Sequence, residues 1–237
     1  MVIKVIGEYE ARFANWLFFI FSHKNIDIKK DKILTNINNE TEKQLERLGI
    51  KIINNKHIAK TCNKDYKQEY ALIDIENVKS QIKCPRGIYE KIITDIPDIH
   101  ERCVIHVRRG DYLRFHDIYF TLNKQYIKDV YDKFYKGQKV LIVADDKQWC
   151  ENNLLDLCDD VIVSKSTDIL YDFFCLTFGK SIICSCSSFS VFASYLNPNK
   201  NCVIPYPYYK KQDMIGIGEK IIPPFANRYK VNDDMKK

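Results

Sequence analysis

The stretch CVIHVRRGDYLRF, Cys103–Phe115, decides how the second half of the chain folds. Its first residues, Cys103–Val107, form a continuous apolar and β-branched run, which is typical of a strand buried on both faces of a parallel sheet. This strand runs directly into two adjacent arginines, Arg108 and Arg109. The Arg-Gly-Asp tripeptide at residues 109–111 then leaves two hypotheses open: a surface ligand for an adhesion receptor, or part of a phosphate-binding active site.

Short apolar runs alternate with helical patterns through the rest of this half. After Cys103–Val107, the predicted strands are Val140–Ala144, Val161–Val163, Ile182–Cys184 and Val203–Ile204. The helical pattern between the first two strands has Asn123 as a possible cap and Gly137 as a possible stop. A second helical pattern has Thr167 or Asp168 as its cap and ends at Gly179. This alternation predicts a doubly wound α/β domain.

The first hundred residues predict a second, smaller α/β unit. Its elements are a strand at Val2–Ile6, an apolar helix at Arg12–Phe21, an amphipathic helix at Glu40–Leu48 and a strand at Ile50–Ile53. We therefore divide the chain into an acceptor-side domain at 1–97, a nucleotide-binding domain at 98–215 and a polar tail at 216–237.

Charge and composition weigh against a nucleic-acid-binding protein. The 37 basic and 31 acidic side chains give a net charge of +6, and the hydrophobic content of 46% is enough to build a core. Nucleic-acid binding usually needs basic residues clustered on one face of a matching fold, and the lysines here are scattered. We therefore expect no nucleic-acid partner.

Several features favour a cytoplasmic protein without a membrane anchor. The longest apolar run, Trp16–Phe21, is far shorter than the roughly 20 residues of a membrane span. The N-terminus has no signal-peptide pattern. Nine irregularly spaced cysteines indicate free thiols in a reducing compartment, and no Cys/His pairs have zinc-site spacing. Adhesion requires export, so these features weaken the receptor-ligand hypothesis.

Polar residues follow the strands of the second domain where each strand ends. They are Arg108, Arg109, Gly110 and Asp111 after the first strand, Asp145 and Asp146 after the second, Ser164 and Lys165 after the third, and Ser187, Ser188 and Ser190 after the fourth. Ligands bind parallel sheets at this edge, so the pattern predicts a nucleotide site. Simpler interpretations stay open for each element alone: surface ion pairs, helix caps, a core histidine at His106 and core packing at Trp149.

Three segments together resemble the α-1,2-fucosyltransferases. They are HVRRGDY at 106–112, VADDKQWC at 143–150 and CSSFSVFASYL at 186–196. The His-x-Arg-Arg-Gly-Asp segment is shared with α-1,6-fucosyltransferases. The segment ARFANWLFFI at 11–20 resembles a family motif more weakly, through Arg12, Asn15, Leu17 and Phe18. The resemblance covers residues 1–24 and 102–209.

The chain departs from the family pattern at several positions. Alanines at Ala11 and Ala14 replace two glycines, and Trp16 replaces a glutamine. A tryptophan pair is replaced by Val191 and Phe192, and an asparagine by Cys186. These changes fall mostly where an acceptor would lie.

The resemblance implies a GT-B-like enzyme with two Rossmann-like domains whose parallel sheets face a cleft. It implies inverting transfer of L-fucose from GDP-fucose, without a metal or other cofactor, to a hydroxyl of a glycan acceptor. The hydroxyl would be the 2-OH of a terminal galactose or a similar sugar.

The same resemblance, with the strand-end pattern, suggests the site residues. Arg108, Arg109 and Asp111 are the catalytic candidates, because arginines can neutralise the leaving diphosphate. Donor-binding candidates are these two arginines with His106, Asp145, Asp146, Ser187, Ser188, Phe189 and Ser190. Acceptor-side candidates are Glu8, Glu10, Arg12 and Asn15. The base could be Asp111, Glu8 or Glu10, or no side chain at all.

Two other functions stay open at this point. The same fold could use a different GDP- or UDP-hexose, or the chain could be a non-catalytic glycan-binding relative. Selective binding of GDP would favour the fucosyl reaction.

Overall fold

The computed structural model describes residues 2–4, 13–22, 26–35, 37–54, 71, 73–231 and 235. The chain divides into two compact units, Met1–Gly87 and Ile88–Lys237. The sequence analysis places its domain boundary later, at residues 97 and 98, and that assignment stays a prediction. Within the described residues, no helix is both long enough and apolar enough to cross a lipid bilayer.

The first unit contains a small parallel sheet with strand order β1-β2-β3. Its described elements are β1 (Val2–Lys4), α1 (Phe13–Phe21), β2 (Lys32–Thr35), α2 (Asn39–Arg47), β3 (Ile52–Asn54) and α3 (Ile75–Gln81). The apolar side chains described in helix α1 are buried, with Leu17 and Phe18 fully enclosed, as its apolar pattern predicts. Strand β2 was not predicted from the sequence, because its four residues, KILT, are flanked by polar segments.

The second unit is built on six strands, and every strand pair in it is parallel. Its elements begin with α4 (Arg86–Asp95), which spans the boundary between the units. They continue with β4 (Cys103–Val107), α5 (Lys124–Phe134), β5 (Val140–Ala144), α6 (Lys147–Asn153), β6 (Val161–Val163), α7 (Ile169–Phe178), β7 (Ser181–Ile183), α8 (Ser188–Leu196), β8 (Cys202–Tyr206), α9 (Ile215–Ile221) and β9 (Asn227–Lys230). The mixed α/β class with parallel sheets is therefore confirmed.

The strand order of this sheet is β6-β5-β4-β7-β8-β9. The chain first adds strands outward from β4 on one side and then returns to add β7, β8 and β9 on the other. This is the order of two mononucleotide-binding halves, and the two halves meet between β4 and β7. Strands β4 and β5 are both interior strands, and every residue of each is buried.

The segment assigned to a polar tail carries regular structure. Helix α9 lies within residues 215–221, and β9 adds an edge strand that pairs in parallel with β8. The sequence of β9, NRYK, is mostly exposed and shows little of the apolar character that marks a buried strand. Its polar composition explains why it was not predicted.

Helix ends follow the predicted capping residues. The Asn123 side chain accepts a hydrogen bond from the Tyr126 backbone N–H at 2.8 Å, and Asp168 accepts one from Leu170 at 3.0 Å. Gly179 ends α7, as predicted. An added Cβ at Gly179 would lie 2.5 Å from Cγ2 of Val104, so a larger residue would disturb the central strand.

Candidate active site

The carboxyl ends of β4 and β7 meet where the strand order reverses. In open α/β sheets this switch point is where ligands bind, because the loops on its two sides diverge and leave a crevice. Strand β4 ends at Val107 and is followed by the two arginines; β7 ends at Ile183 and is followed by the serine-rich turn into α8. Strand β5 ends beside β4 and is followed by Asp145 and Asp146.

Arg108 bridges two of these loops through its guanidinium group. Its Nη2 lies 2.6 Å from Oδ1 of Asp111, and its Nη1 lies 2.9 Å from Oδ2 of Asp145. The guanidinium also lies 5.7 Å from the ring centre of Tyr112. Only 18% of the side chain is exposed, so both ion pairs are partly shielded from water. Two carboxylates thus balance the charge of this arginine.

Arg109 turns toward α6. Its Nε lies 3.3 Å from Oδ2 of Asp146, and its guanidinium carbon lies 4.0 Å from the ring centre of Trp149. Its backbone N–H donates to Oδ1 of Asp145 at 2.8 Å. Trp149 therefore packs on an arginine of this edge, which differs from the core-packing alternative.

Gly110 gives the Asp145 carboxylate the space that it occupies. A Cβ at this position would lie 2.7 Å from Oδ2 of Asp145, the same oxygen that pairs with Arg108. A side chain here would push the carboxylate away from the arginine. The glycine of the Arg-Gly-Asp tripeptide thus leaves room for the Arg108–Asp145 pairing.

His106, on β4, contacts the segment that follows β7, across the switch point. Its Nδ1 lies 2.6 Å from Oγ of Ser185, and its ring lies 5.3 Å from that of Phe189. Burial lowers the pKa of His106 to about 4, so the imidazole is neutral near pH 7. His106 is thus buried beneath the turn, where it fixes the position of the β7–α8 segment.

The turn into α8 is shaped by its own serines. Ser187 is the N-cap, and its side chain accepts from the Phe189 backbone N–H at 3.4 Å. Ser190 is fully buried, and its hydroxyl donates to the carbonyl oxygen of Ser187 at 3.3 Å. Ser188 is half-buried at the first position of the helix. The phosphate contacts predicted for these serines stay predictions; the observed contacts show Ser190 supporting the turn from inside.

Tyr112 is a site residue that sequence reasoning did not single out. Its hydroxyl donates to the carbonyl oxygen of Cys186 at 2.7 Å, which ties the loop after β4 to the loop after β7. Its ring stacks on Tyr119, with ring centres 4.2 Å apart and an interplanar angle of 14°. Only its place directly after the Arg-Gly-Asp tripeptide could have pointed to it.

Asp172 is a second residue that the sequence analysis did not single out. Ser164, the residue after β6, donates from Oγ to Oδ1 of Asp172 at 2.9 Å. Burial raises the pKa of this carboxyl to about 6, although the Ser164 hydrogen bond and the nearby Lys147 charge oppose the shift. A cavity of about 490 Å³ at this edge is lined by Ser164 and Tyr171 among others, whereas Asp172 itself is not one of its lining residues. A buried carboxyl with a raised pKa at this edge is typical of functional sites.

The acceptor-side candidates contribute little to this description. Glu8, Glu10 and Arg12 lie outside the described residues, and Asn15 is half-buried on α1.

In the part of the chain that the structure describes, no group of three or more His, Cys, Asp or Glu side chains could hold a metal ion. The eight cysteines in this part are free thiols.

Comparison with known proteins gives one family. The family model for glycosyl transferase family 11 matches residues 66–220, which is more than half of the chain. No curated protein and no solved structure matches the sequence. The matched range holds the three segments that carry the resemblance in the second half, whereas the weaker motif at 11–20 lies outside it.

Family membership implies a glycosyltransferase that uses a nucleotide-sugar donor and a glycan acceptor. It further implies fucosyltransferase activity at the level of the family. The matched residues include the whole edge formed by Arg108, Asp145 and the β7–α8 turn. The chain belongs to glycosyl transferase family 11, the α-1,2-fucosyltransferase family.

Proposed function

We propose that this protein transfers L-fucose from GDP-fucose, with inversion and without a metal ion, to the 2-hydroxyl of a terminal galactose or a similar sugar. The observation that carries the proposal is a link, at the reversal of strand order, between Arg108 and the turn into α8: Tyr112 lies against Arg108, and its hydroxyl donates to the carbonyl oxygen of Cys186 in that turn. We include in it a two-domain GT-B architecture, which is supported by the family and by a parallel sheet in each unit.

The diphosphate is the part of the donor that this edge suits best. When the fucosyl–oxygen bond breaks, negative charge grows on the β-phosphate and must be neutralised. An arginine can donate two hydrogen bonds to phosphate oxygens, and the free N–H groups of a helix start add to the attraction. These two donors supply chemistry that many transferases obtain from a metal ion.

The contacts favour Arg108 over Arg109 for the β-phosphate. Arg108 lies against Tyr112, whose hydroxyl binds the turn that leads into α8. Arg109 is instead held by Trp149 and Asp146 on the α6 side. We therefore assign Arg108 to the leaving group and Arg109 to positioning Asp145 and α6.

Donor binding then exchanges one set of ion pairs for another. Without a ligand, Asp111 and Asp145 balance Arg108. A diphosphate carries more charge than either carboxylate and can take both guanidinium donors in one plane. Because its pairing with Arg108 at 2.6 Å occupies Asp111, we assign this carboxylate to bracing Arg108 before the diphosphate arrives, rather than to the role of base.

The guanine base fits the carboxylate near β6. Guanine offers two adjacent donors on one edge, N1–H and the 2-amino group, and a carboxylate accepts from both. Among the described residues, only Ser164 donates a side-chain hydrogen bond to Asp172, and it uses one oxygen. Asp172 is therefore our candidate for guanine selection, and Asp145 and Asp146 remain candidates for the ribose.

Two measurements test the proposal. Calorimetry with GDP, ADP and UDP should show GDP binding at least about 10-fold tighter than the others, because only guanine presents the paired donors. GDP release from GDP-fucose should then depend on added terminal galactosides, with a fucosylated product. Tight UDP binding would indicate another sugar nucleotide. GDP release without an acceptor product would leave hydrolysis, not transfer, as the activity.

A further inference from the structure

An exposed segment follows directly after Arg108–Tyr112, at the candidate active site. Residues 113–117, with the sequence LRFHD, are all exposed. Among them, Leu113 is 51% and Phe115 47% exposed, although both are large apolar side chains. Exposed apolar groups that cluster beside a site commonly mark a binding surface. We call residues 113–117 the outer loop.

Backbone hydrogen bonds hold the outer loop in one conformation. The Leu113 N–H donates to the carbonyl oxygen of Arg109 at 2.9 Å, and the Arg114 N–H donates to that of Asp111 at 2.9 Å. The loop ends where the Tyr119 N–H donates to the Phe115 carbonyl at 3.0 Å. A surface that is already ordered loses little conformational entropy when it binds a ligand.

Tyrosines support the outer loop from inside. Tyr112 and Tyr119, which flank it, stack on each other, and Tyr119 forms an antiparallel bridge with Tyr209. The Lys210 N–H also donates to the carbonyl oxygen of Ile118 at 2.8 Å. The inner face is thus packed against the sheet domain, and the outer face is left to solvent.

The outer face mixes apolar and hydrogen-bonding groups. Leu113 and Phe115 alternate with Arg114 and His116, and Asp117 follows. In the part of the chain that the structure describes, the side chains of Arg114, His116 and Asp117 make no hydrogen bond or ion pair. They are therefore available to an incoming ligand, as donors and acceptors.

This composition suits a sugar ring. A pyranose has an apolar C–H face that packs on an aromatic ring and a rim of hydroxyls that needs both donors and acceptors. The loop also starts close to the arginines: Asp111–Leu113 is a 3₁₀ turn, and Phe115 is four residues after Asp111, roughly 8 Å away at the 2.0 Å rise of such a turn. A sugar on Phe115 would therefore lie within reach of a fucosyl group whose phosphate is held by Arg108.

We infer that the outer loop is part of the acceptor site: Phe115 and Leu113 contact the apolar face of the acceptor sugar, and Arg114, His116 and Asp117 bind its hydroxyls. This inference rests on the proposed function, since it names the acceptor of that reaction. It places part of acceptor recognition on the donor-binding unit, next to the arginines.

The test compares Phe115→Ala with a matched control variant. The reaction is fucose transfer from GDP-fucose to lactose, a terminal β-galactoside. Methyl β-galactoside replaces lactose where it is the better substrate. Phe115→Ala should raise the acceptor KM about 3- to 10-fold, the range for one lost aromatic contact. Its affinity for GDP should stay unchanged, and Phe115→Tyr should restore the acceptor KM.

The control is Leu155→Ala. Leu155 is also 51% exposed, but it follows the C-terminal end of α6, at the opposite edge of the sheet. The acceptor KM of the Leu155→Ala variant should equal that of the unchanged protein. An unchanged acceptor KM in Phe115→Ala, with transfer intact, would overturn this inference and leave the proposed function standing. Absence of transfer to both galactosides in the unchanged protein would overturn both.

Discussion

At the scale of single residues, the two arginines after β4 have different surroundings and should respond differently to the same substitution. Arg108→Lys keeps the charge but loses the planar fork that can bind two phosphate oxygens. We expect turnover to fall about 10²- to 10³-fold, as for other preorganised charge-stabilising groups. Steady-state kinetics with GDP-fucose measures this loss, and thermal unfolding checks that the fold is retained.

Arg109→Lys is the matched comparison. Because Arg109 packs on Trp149 and bonds to Asp145 through its backbone, a lysine keeps the backbone contact and the charge and loses the planar stacking and the Nε contact with Asp146. We expect a smaller loss of turnover than for Arg108→Lys. The reverse order would assign the β-phosphate to Arg109 and reject the assignment made here.

Asp172 should make GDP binding depend on pH. Its pKa is about 6, raised by burial, and only the ionised form can accept two hydrogen bonds from guanine. GDP affinity should therefore increase as the pH rises through about 6. Asp172→Asn should weaken GDP binding and remove this pH dependence, whereas ADP binding should change little. Calorimetry at several pH values measures both.

The same carboxyl also affects stability, with a defined sign. A carboxyl whose folded pKa lies above its ordinary value holds its proton longer when folded, so its contribution to stability falls as the pH rises from about 4 to about 6. His106 acts oppositely over an overlapping range, because its pKa is lowered to about 4 and protonation on acidification favours unfolding. Only the difference between Asp172→Asn and the unchanged protein isolates the Asp172 contribution, and it should shrink below pH 4.

At the scale of elements, strands with a continuous apolar run were predictable, and short or polar strands were not. Strand β4 and strand β5 are buried on both faces, and their apolar runs fixed their bounds from the sequence alone. The edge strand β9 buries little apolar surface. Strand β2 is central in its sheet and buries Ile33, but its four residues are too few to form a local pattern, and both strands pair with neighbours that are distant in sequence. The local sequence pattern gives no information about such distant pairing partners.

Helix α8 should lose both stability and donor affinity when its cap is removed. Ser187→Ala leaves the Phe189 N–H without its side-chain acceptor and should reduce the free energy of unfolding by about 1 kcal/mol. Because the helix start is the proposed phosphate site, GDP affinity should also fall. Chemical unfolding and calorimetry measure the two effects separately.

A cap in the first unit provides the control. Asn38 caps α2 by accepting from the Thr41 N–H at 2.8 Å, so Asn38→Ala should cost about the same stability. It should leave GDP affinity unchanged. Equal GDP affinity in Ser187→Ala and the unchanged protein would remove the α8 start from the donor site.

At the scale of the whole molecule, sequence reasoning predicted which candidate residues lie together better than it predicted their contacts. The rule that polar residues after parallel strands share one edge brought Arg108 and Asp145 together correctly, at 2.9 Å. It could not show that Arg108 bridges two carboxylates, that Ser190 is buried or that Tyr112 joins the loops. These facts depend on side-chain packing between loops that are far apart in the chain.

We expect the amino ends of the strands in the large sheet to serve stability and the carboxyl ends to serve donor binding. A substitution at the amino ends should therefore affect stability alone. At the amino end of β4, Arg102 is almost fully buried and binds Asp98 at 2.7 Å, Asp160 at 2.8 Å and the carbonyl oxygen of Val140 at 3.2 Å. Arg102 lowers the pKa of Asp98 to about 2, so this pairing stabilises the fold above pH 4 and is lost as the pH falls toward 2. Arg102→Leu should therefore lower the Tm at pH 7 clearly and at pH 2 far less.

GDP affinity should be unchanged in Arg102→Leu at a temperature where the variant is folded, because the nucleotide edge lies at the other end of the strand. The matched variant is Arg108→Leu, with one arginine removed from the same strand's carboxyl side. It should show the reverse: a small change in Tm and a large loss of GDP affinity. If Arg102→Leu reduced GDP affinity as strongly as Arg108→Leu, the two edges would be coupled through β4, and stability and donor binding could not be assigned to opposite ends of the sheet.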